Sequence, residues 1–146
     1  MITGVVLELR EKIRVLSRHL ELLGRDPCCG GITLTQCHAI VEIGRNQGLM
    51  LKELAGILML DTSTVSKAVD GLVQQGLLER IPADTDRRSV HISLTKQGRL
   101  LFEQIEQDMN NRFARILKTV TDEDSVKIVK AIQMLNAAFE VEKQEA

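Results

Sequence analysis

The run from Asp61 to Gly76 constrains this chain more than any other stretch, because its pattern fits a helix with one apolar side and a polar entrance. Asp61, Thr62 and Ser63 all carry side-chain oxygens that accept from the unpaired N–H groups of a first helical turn, so the helix starts among them. Val65, Ala68, Val69, Leu72 and Val73 follow at three- and four-residue steps and share the buried side. Thr62, Thr64, Ser66 and Lys67 crowd the opposite side near the N-terminal end. Short hydroxyls and one lysine let a helix approach base edges and phosphates closely. Gly76 stands where a left-handed residue closes a helix.

The flanks say what surrounds this helix. Upstream, Lys52 to Leu60 reads as a shorter amphipathic helix with Leu54, Ala55 and Leu58 inward, and the tight link from Met59 to Asp61 makes the two a helix-turn-helix. Downstream, Leu77 to Ile81 and Ser89 to Leu94 alternate like half-buried strands. Between them Pro82 to Arg88 is a polar turn of hairpin length. A helix-turn-helix followed by a basic-tipped hairpin is a winged helix.

Composition narrows the function. A chain of 146 residues that is 44% hydrophobic but 2% aromatic builds its core from Leu, Ile, Val and Ala, which suits helices. With no Trp or Tyr, and only Phe102, Phe113 and Phe139 as rings, a base-stacking platform for single strands is not expected. A net charge of -1 excludes a generally basic coat, so any contact with nucleic acid must come from a local patch. No apolar run approaches the ~20 residues of a membrane span, and the charged start of the chain is not a secretory signal. A cytoplasmic protein with reduced thiols is expected.

The remaining elements flank this centre. Val5, Val6, Leu9, Ile13, Leu16 and Leu20 form a first helix ending by Gly24 and Pro27, with more apolar surface than a lone helix tolerates. Thr33 and Gln36 make a capping box for a second helix with Cys37, Ile40, Val41 and Ile43 inward. Lys96 to Lys118 reads as one long helix carrying Leu101, Ile105, Met109, Phe113 and Ile116. Thr121 caps the last helix, whose inward residues are Val126, Val129, Ile132, Leu135 and Phe139, with Asp122, Glu123 and Asp124 at its positive end.

The residues Leu54-Ala55, Asp61, Ser63 to Ser66, Val69-Asp70, Leu72-Val73, Gly76-Leu77, Arg80, Asp86-Arg87-Arg88, Leu94-Thr95 and Gly98 together resemble the MarR family of bacterial transcription regulators. The pattern runs in order over some forty residues, so it is far more specific than a short motif. The resemblance implies a mainly α fold with a small β-hairpin, a winged helix-turn-helix that dimerises through its N- and C-terminal helices. Within a single domain of 1–146, residues 33–95 would form the DNA-binding lobe and residues 1–30 and 96–146 the dimerisation helices. It further implies a homodimeric regulator, usually a repressor, that leaves its operator when an effector is sensed.

On that reading Thr62, Ser63, Thr64, Ser66 and Lys67 enter the major groove of double-stranded DNA, and Arg87 at the wing tip reaches the adjacent minor groove. Arg88 is a further contact or, with Asp86, a brace of the wing; Arg80 is within reach of phosphate. Two subunits would read a pseudo-palindrome with half-sites ~10 bp apart. The bland alternative is that the hydroxyls are caps and the arginines an ordinary solvated turn.

Cys28, Cys29 and Cys37 fall within ten residues of one another. Adjacent cysteines close a strained ring, so Cys37 or a second subunit is the more workable disulfide partner. Cys37 lies in a first helical turn, where a thiolate is favoured. Three thiolates can also hold a thiophilic metal or metalloid ion. The readings are a thiol-oxidation switch, a metal or metalloid sensor, and a structural role. His19, His38 and His91 lack ligand spacing for zinc. Two alternatives stand beside the cysteine switch: a winged-helix protein-interaction module, and a MarR-like repressor sensing a small apolar or phenolic ligand. With no CxxC and no placeable catalytic set, an enzyme is not expected.

Overall fold

Capping chemistry decides where most of the helices begin. In the computed structural model, which describes the backbone of residues 3–24, 31–83 and 86–146 and the side chains of these except 83 and 86–89, α1 spans Gly4–Gly24 and α2 spans Leu34–Arg45. Thr33 caps α2 as expected: its hydroxyl accepts from the Gln36 N–H at 3.2 Å, and the Thr33 N–H donates to Gln36 Oε1 at 3.0 Å. Two compact units make up the chain, Met1–Glu106 and Gln107–Ala146.

The first unit is built around α2, the two helices that follow it and a small sheet. A two-residue strand, β1 (Leu49–Met50), leads into α3 (Leu51–Leu58), where the Glu53 carboxylate accepts from the Met50 N–H at 3.0 Å. Met59 then adopts a left-handed conformation, φ 55°, and turns the chain into α4 (Thr62–Gln74). Gly76, φ 76°, closes α4 as the sequence predicts. Ile40, Ile43, Leu54, Val65, Val69 and Leu72 are fully enclosed, with Leu78 and Ile92 of the sheet beneath them. Of the predicted inward residues, Val73, Val41 and Leu58 are only half-buried, while Ala39 joins the core.

The sheet differs from the expected two-stranded hairpin. β2 (Leu78–Ala83) and β3 (Asp86–Leu94) pair antiparallel, and β1 adds to the far side of β3 in the order β1-β3-β2, with Leu49 opposite Ile92. A two-residue strand has too little alternation to leave a sequence signal. The wing strands also run further than the expected Leu77 to Ile81 and Ser89 to Leu94. Ala83 pairs with Asp86, so Pro82, Ala83 and Asp86 to Arg88 belong to strands and not to a turn. Ladder hydrogen bonds need backbone, not apolar alternation, and β2 is an edge strand, where a proline's missing N–H costs no pairing. The register shifts between Pro82 and Ala83.

α5 (Lys96–Ile116) stops two residues short of the predicted Lys118, giving way to a 3-10 turn over Leu117–Thr119. The second unit carries α6 (Asp122–Glu145), capped by the Thr121 hydroxyl accepting from the Asp124 N–H at 3.1 Å. One expectation for α6 is not met. Val126, Val129, Ile132 and Phe139, predicted inward, are exposed in the single chain, and no residue of α6 is buried. The periodicity located an apolar stripe correctly but could not say whether this chain's own core covers it. α1 is in the same position, with Val5 and Leu20 exposed and none of its residues buried. No helix among the described residues is long and apolar enough to cross a membrane.

Candidate nucleic-acid interface

The entrance of α4 is organised by one carboxylate. Asp61 Oδ1 accepts from the Thr64 N–H at 2.7 Å and from the Ser63 hydroxyl at 2.7 Å, and Asp61 Oδ2 accepts from the Thr64 hydroxyl at 2.8 Å. Asp61, and not Thr62 or Ser63, is therefore the cap. Thr62, Ser63, Thr64 and Lys67 are exposed and Ser66 is half-buried, so the five polar residues predicted on this helix share its open side. Val65, Ala68, Val69 and Leu72 anchor the other. The sequence assigned no contact role to Asp61; the signal was present in a carboxylate followed by hydroxyls two and three residues later.

These hydrogen bonds hold the Asp61 pKa at about 2, below the usual 3.8, with the Ser63 hydroxyl the largest cause, then the Thr64 N–H and the Thr64 hydroxyl. A carboxylate whose folded pKa lies below its unfolded value stabilises the fold above the unfolded value, and that contribution disappears as pH falls through about 2. Asparagine caps equally well but does not titrate. Urea denaturation from about pH 5 down to about pH 2 is thus expected to show a smaller acid loss for Asp61→Asn than for the wild type; parallel losses would remove Asp61 from the acid response.

Arg80, expected within reach of phosphate, is ion-paired with Asp70 of α4. Both side chains are about half exposed, so the pair is worth little as stability. Its geometric effect is to tie the base of β2 to the helix. Among the described residues Lys67 takes part in no ion pair, and its acidic neighbours in sequence are engaged by other groups, Asp61 by Ser63 and Thr64 and Asp70 by Arg80. Arg87, Arg88 and Asp86 lie on the backbone of β3 opposite the end of β2; their side chains are outside the described residues.

Cys37 is buried on α2, its N–H donating to the Thr33 carbonyl at 2.9 Å. Cys28 and Cys29 lie outside the described residues, and so does any site the three would form. Among the described residues no group of three His, Cys, Asp or Glu is placed to hold a metal. A cavity of about 480 Å³ opens between the end of α2, the β2–β3 hairpin and the start of α5, lined by Ile43, Gln47, Ile81, His91, Ser93 and Arg99 among others. Cys37 does not line it.

The helix-turn-helix, β2 and the first half of β3 fall inside the region that the MarR family model matches, residues 32–90. The chain belongs to the MarR family. The transcriptional repressor MdtR of Bacillus subtilis is 26% identical over 79% of this chain and 74% of its own length. An organic hydroperoxide resistance transcriptional regulator of the same organism is 37% identical over half of each chain. Among solved structures, Streptococcus pneumoniae FabT in complex with DNA superposes with a TM-score of 0.80 at 22% identity, over 92% of this chain and 96% of its own. As a MarR-family member the protein is a DNA-binding transcription regulator and not an enzyme.

Proposed function

We propose that this MarR-family protein is a homodimeric repressor of a pseudo-palindromic operator. The observation that carries the reading is the open polar entrance of α4, where Thr62, Ser63, Thr64 and Lys67 are exposed on a helix held from behind by Val65, Val69 and Leu72. These residues with Ser66 take the major groove. Arg87 takes the adjacent minor groove from the wing, Arg88 adds a contact or braces the wing with Asp86, and Arg80, held beside the helix by Asp70, reaches phosphate. Residues 33–95 form the reading lobe. Residues 1–30 and 96–146 pair the subunits, which supplies the cover that the apolar stripes of α1 and α6 lack in one chain. The repressor name of MdtR and the DNA bound to FabT support the same reading.

Light scattering is expected to give the mass of a dimer, and DNA flanking the protein's own gene to give a specific gel shift. Arg87→Ala should weaken that shift by roughly tenfold, and Lys67→Ala should lower the salt slope by about one. A monomer, or a specific shift indifferent to Arg87→Ala, Ser66→Ala and Lys67→Ala alike, would sink the assignment. A winged-helix interaction module would give no specific shift at all.

Release is assigned to the segment carrying Cys28, Cys29 and Cys37, through thiol oxidation or a thiophilic metal or metalloid. The support is the closeness of three thiols within ten residues of the sequence, and the hydroperoxide-resistance relative favours the oxidant. Because Cys37 is buried in the lobe that carries α4, its modification must disturb the packing of α2. Diamide, peroxide or arsenite is expected to abolish the shift of the wild type and not of Cys37→Ser. Identical behaviour under all three makes the cysteines structural and leaves a small apolar or phenolic ligand as the effector.

A further inference from the structure

Resting on the assignment of α4 as the reading helix, we propose that Asp61 makes Ser63 and Thr64 obligate hydrogen-bond acceptors, so that the entrance of α4 selects an exocyclic amino group, adenine N6 or cytosine N4, at one position of each half-site. A hydroxyl has one proton to donate. Those of Ser63 and Thr64 are both given to the Asp61 carboxylate, at 2.7 and 2.8 Å. What the two residues then offer outward is lone pairs. The carboxylate itself has about four acceptor positions, three of them filled by the two hydroxyls and the Thr64 N–H. It stays ionised across the physiological range, with its pKa at about 2, so it never becomes a donor.

An exposed trio with lone pairs and a negative charge is repelled by phosphate and by the acceptor edges of guanine and thymine. It fits only a donor. In the major groove each base pair has one amino group, on its adenine or its cytosine, so an acceptor at a fixed place reads which strand carries the amino base. A second observation leaves this readout to the trio: α4 contains no Arg or Asn, and its one Gln is Gln74 at the far end, so the forked side chains that commonly read guanine and adenine are absent from its opening turns. Lys67, Thr62 and Ser66 keep their protons for phosphate.

The test is selection from a randomised duplex pool by the full-length wild type, by Asp61→Asn, and by the double variant Ser63→Ala/Thr64→Val. Asparagine preserves the cap, and a thermal melt checks that the fold is retained. Wild-type operators are expected to favour A or C over G or T at one position per half-site by roughly tenfold, and both variants to shrink that preference to about twofold while other positions keep theirs. A recovered operator without an amino-over-keto position, or one that the variants read unchanged, overturns this inference and leaves the DNA reading standing. Recovery of no duplex above the non-specific level overturns both.

Discussion

Gly98→Ala is expected to cost about 3 kcal/mol and to lower the melting midpoint by roughly 10 °C, the upper end of what overpacking does. The first turn of α5 lies so close to the chain leaving α4 that an added Cβ would sit 1.9 Å from the Leu77 carbonyl oxygen and 3.3 Å from Leu94 Cδ2. The obstacle is backbone, which no rotamer change relieves. That backbone is also held: the Leu77 carbonyl accepts from the Thr95 N–H at 3.1 Å, and the Thr95 hydroxyl donates to the Gly76 carbonyl at 2.6 Å while accepting from the Gly98 N–H at 3.0 Å. Gly56 is the contrast. Nothing lies within 4 Å of a Cβ placed there, in mid-helix, so Gly56→Ala should stabilise by up to ~1 kcal/mol. Thermal melts of the two variants decide the matter; a Gly98→Ala protein that melts with the wild type would mean that α5 does not pack on Leu77 as described.

Leu72→Ala is expected to destabilise by about 3 kcal/mol and to take operator binding with it. Leu72 is fully enclosed on the inner side of α4, opposite the hydroxyls, so its removal leaves a cavity under the helix that must present them. Ser66→Ala and Lys67→Ala, on the outer side, should weaken binding with little change in the denaturation midpoint. Chemical denaturation and gel shifts on the same three variants separate the faces. Equal stability loss on both sides would mean that α4 is not seated as its burial indicates.

The contrast between those faces also marks how much could be read without coordinates. The Thr33–Gln36 box, the Thr121 cap, the closing glycine at Gly76 and the apolar side of α4 are relations among residues three or four apart, and each stands in the structure where its spacing put it. The polar entrance of α4 was legible for the same reason. The pairing of Arg80 with Asp70 was not, since it spans a helix end and a turn, and charge alone offered Arg80 several partners. Nor was the cost of crowding at Gly98, which depends on a carbonyl twenty-one residues earlier in the chain.

Local periodicity and side-chain capping thus determined the helices, where most of them start and the polar entrance of α4, because those forces act within one or two turns. Only the tertiary structure decided that β1 joins the sheet beyond β3, that the wing strands extend through Pro82 and Asp86, and that the stripes of α1 and α6 lie open in the single chain. The physical reason is that strand pairing and burial are settled by which distant surfaces meet, and an amphipathic pattern names the face to be covered without naming what covers it.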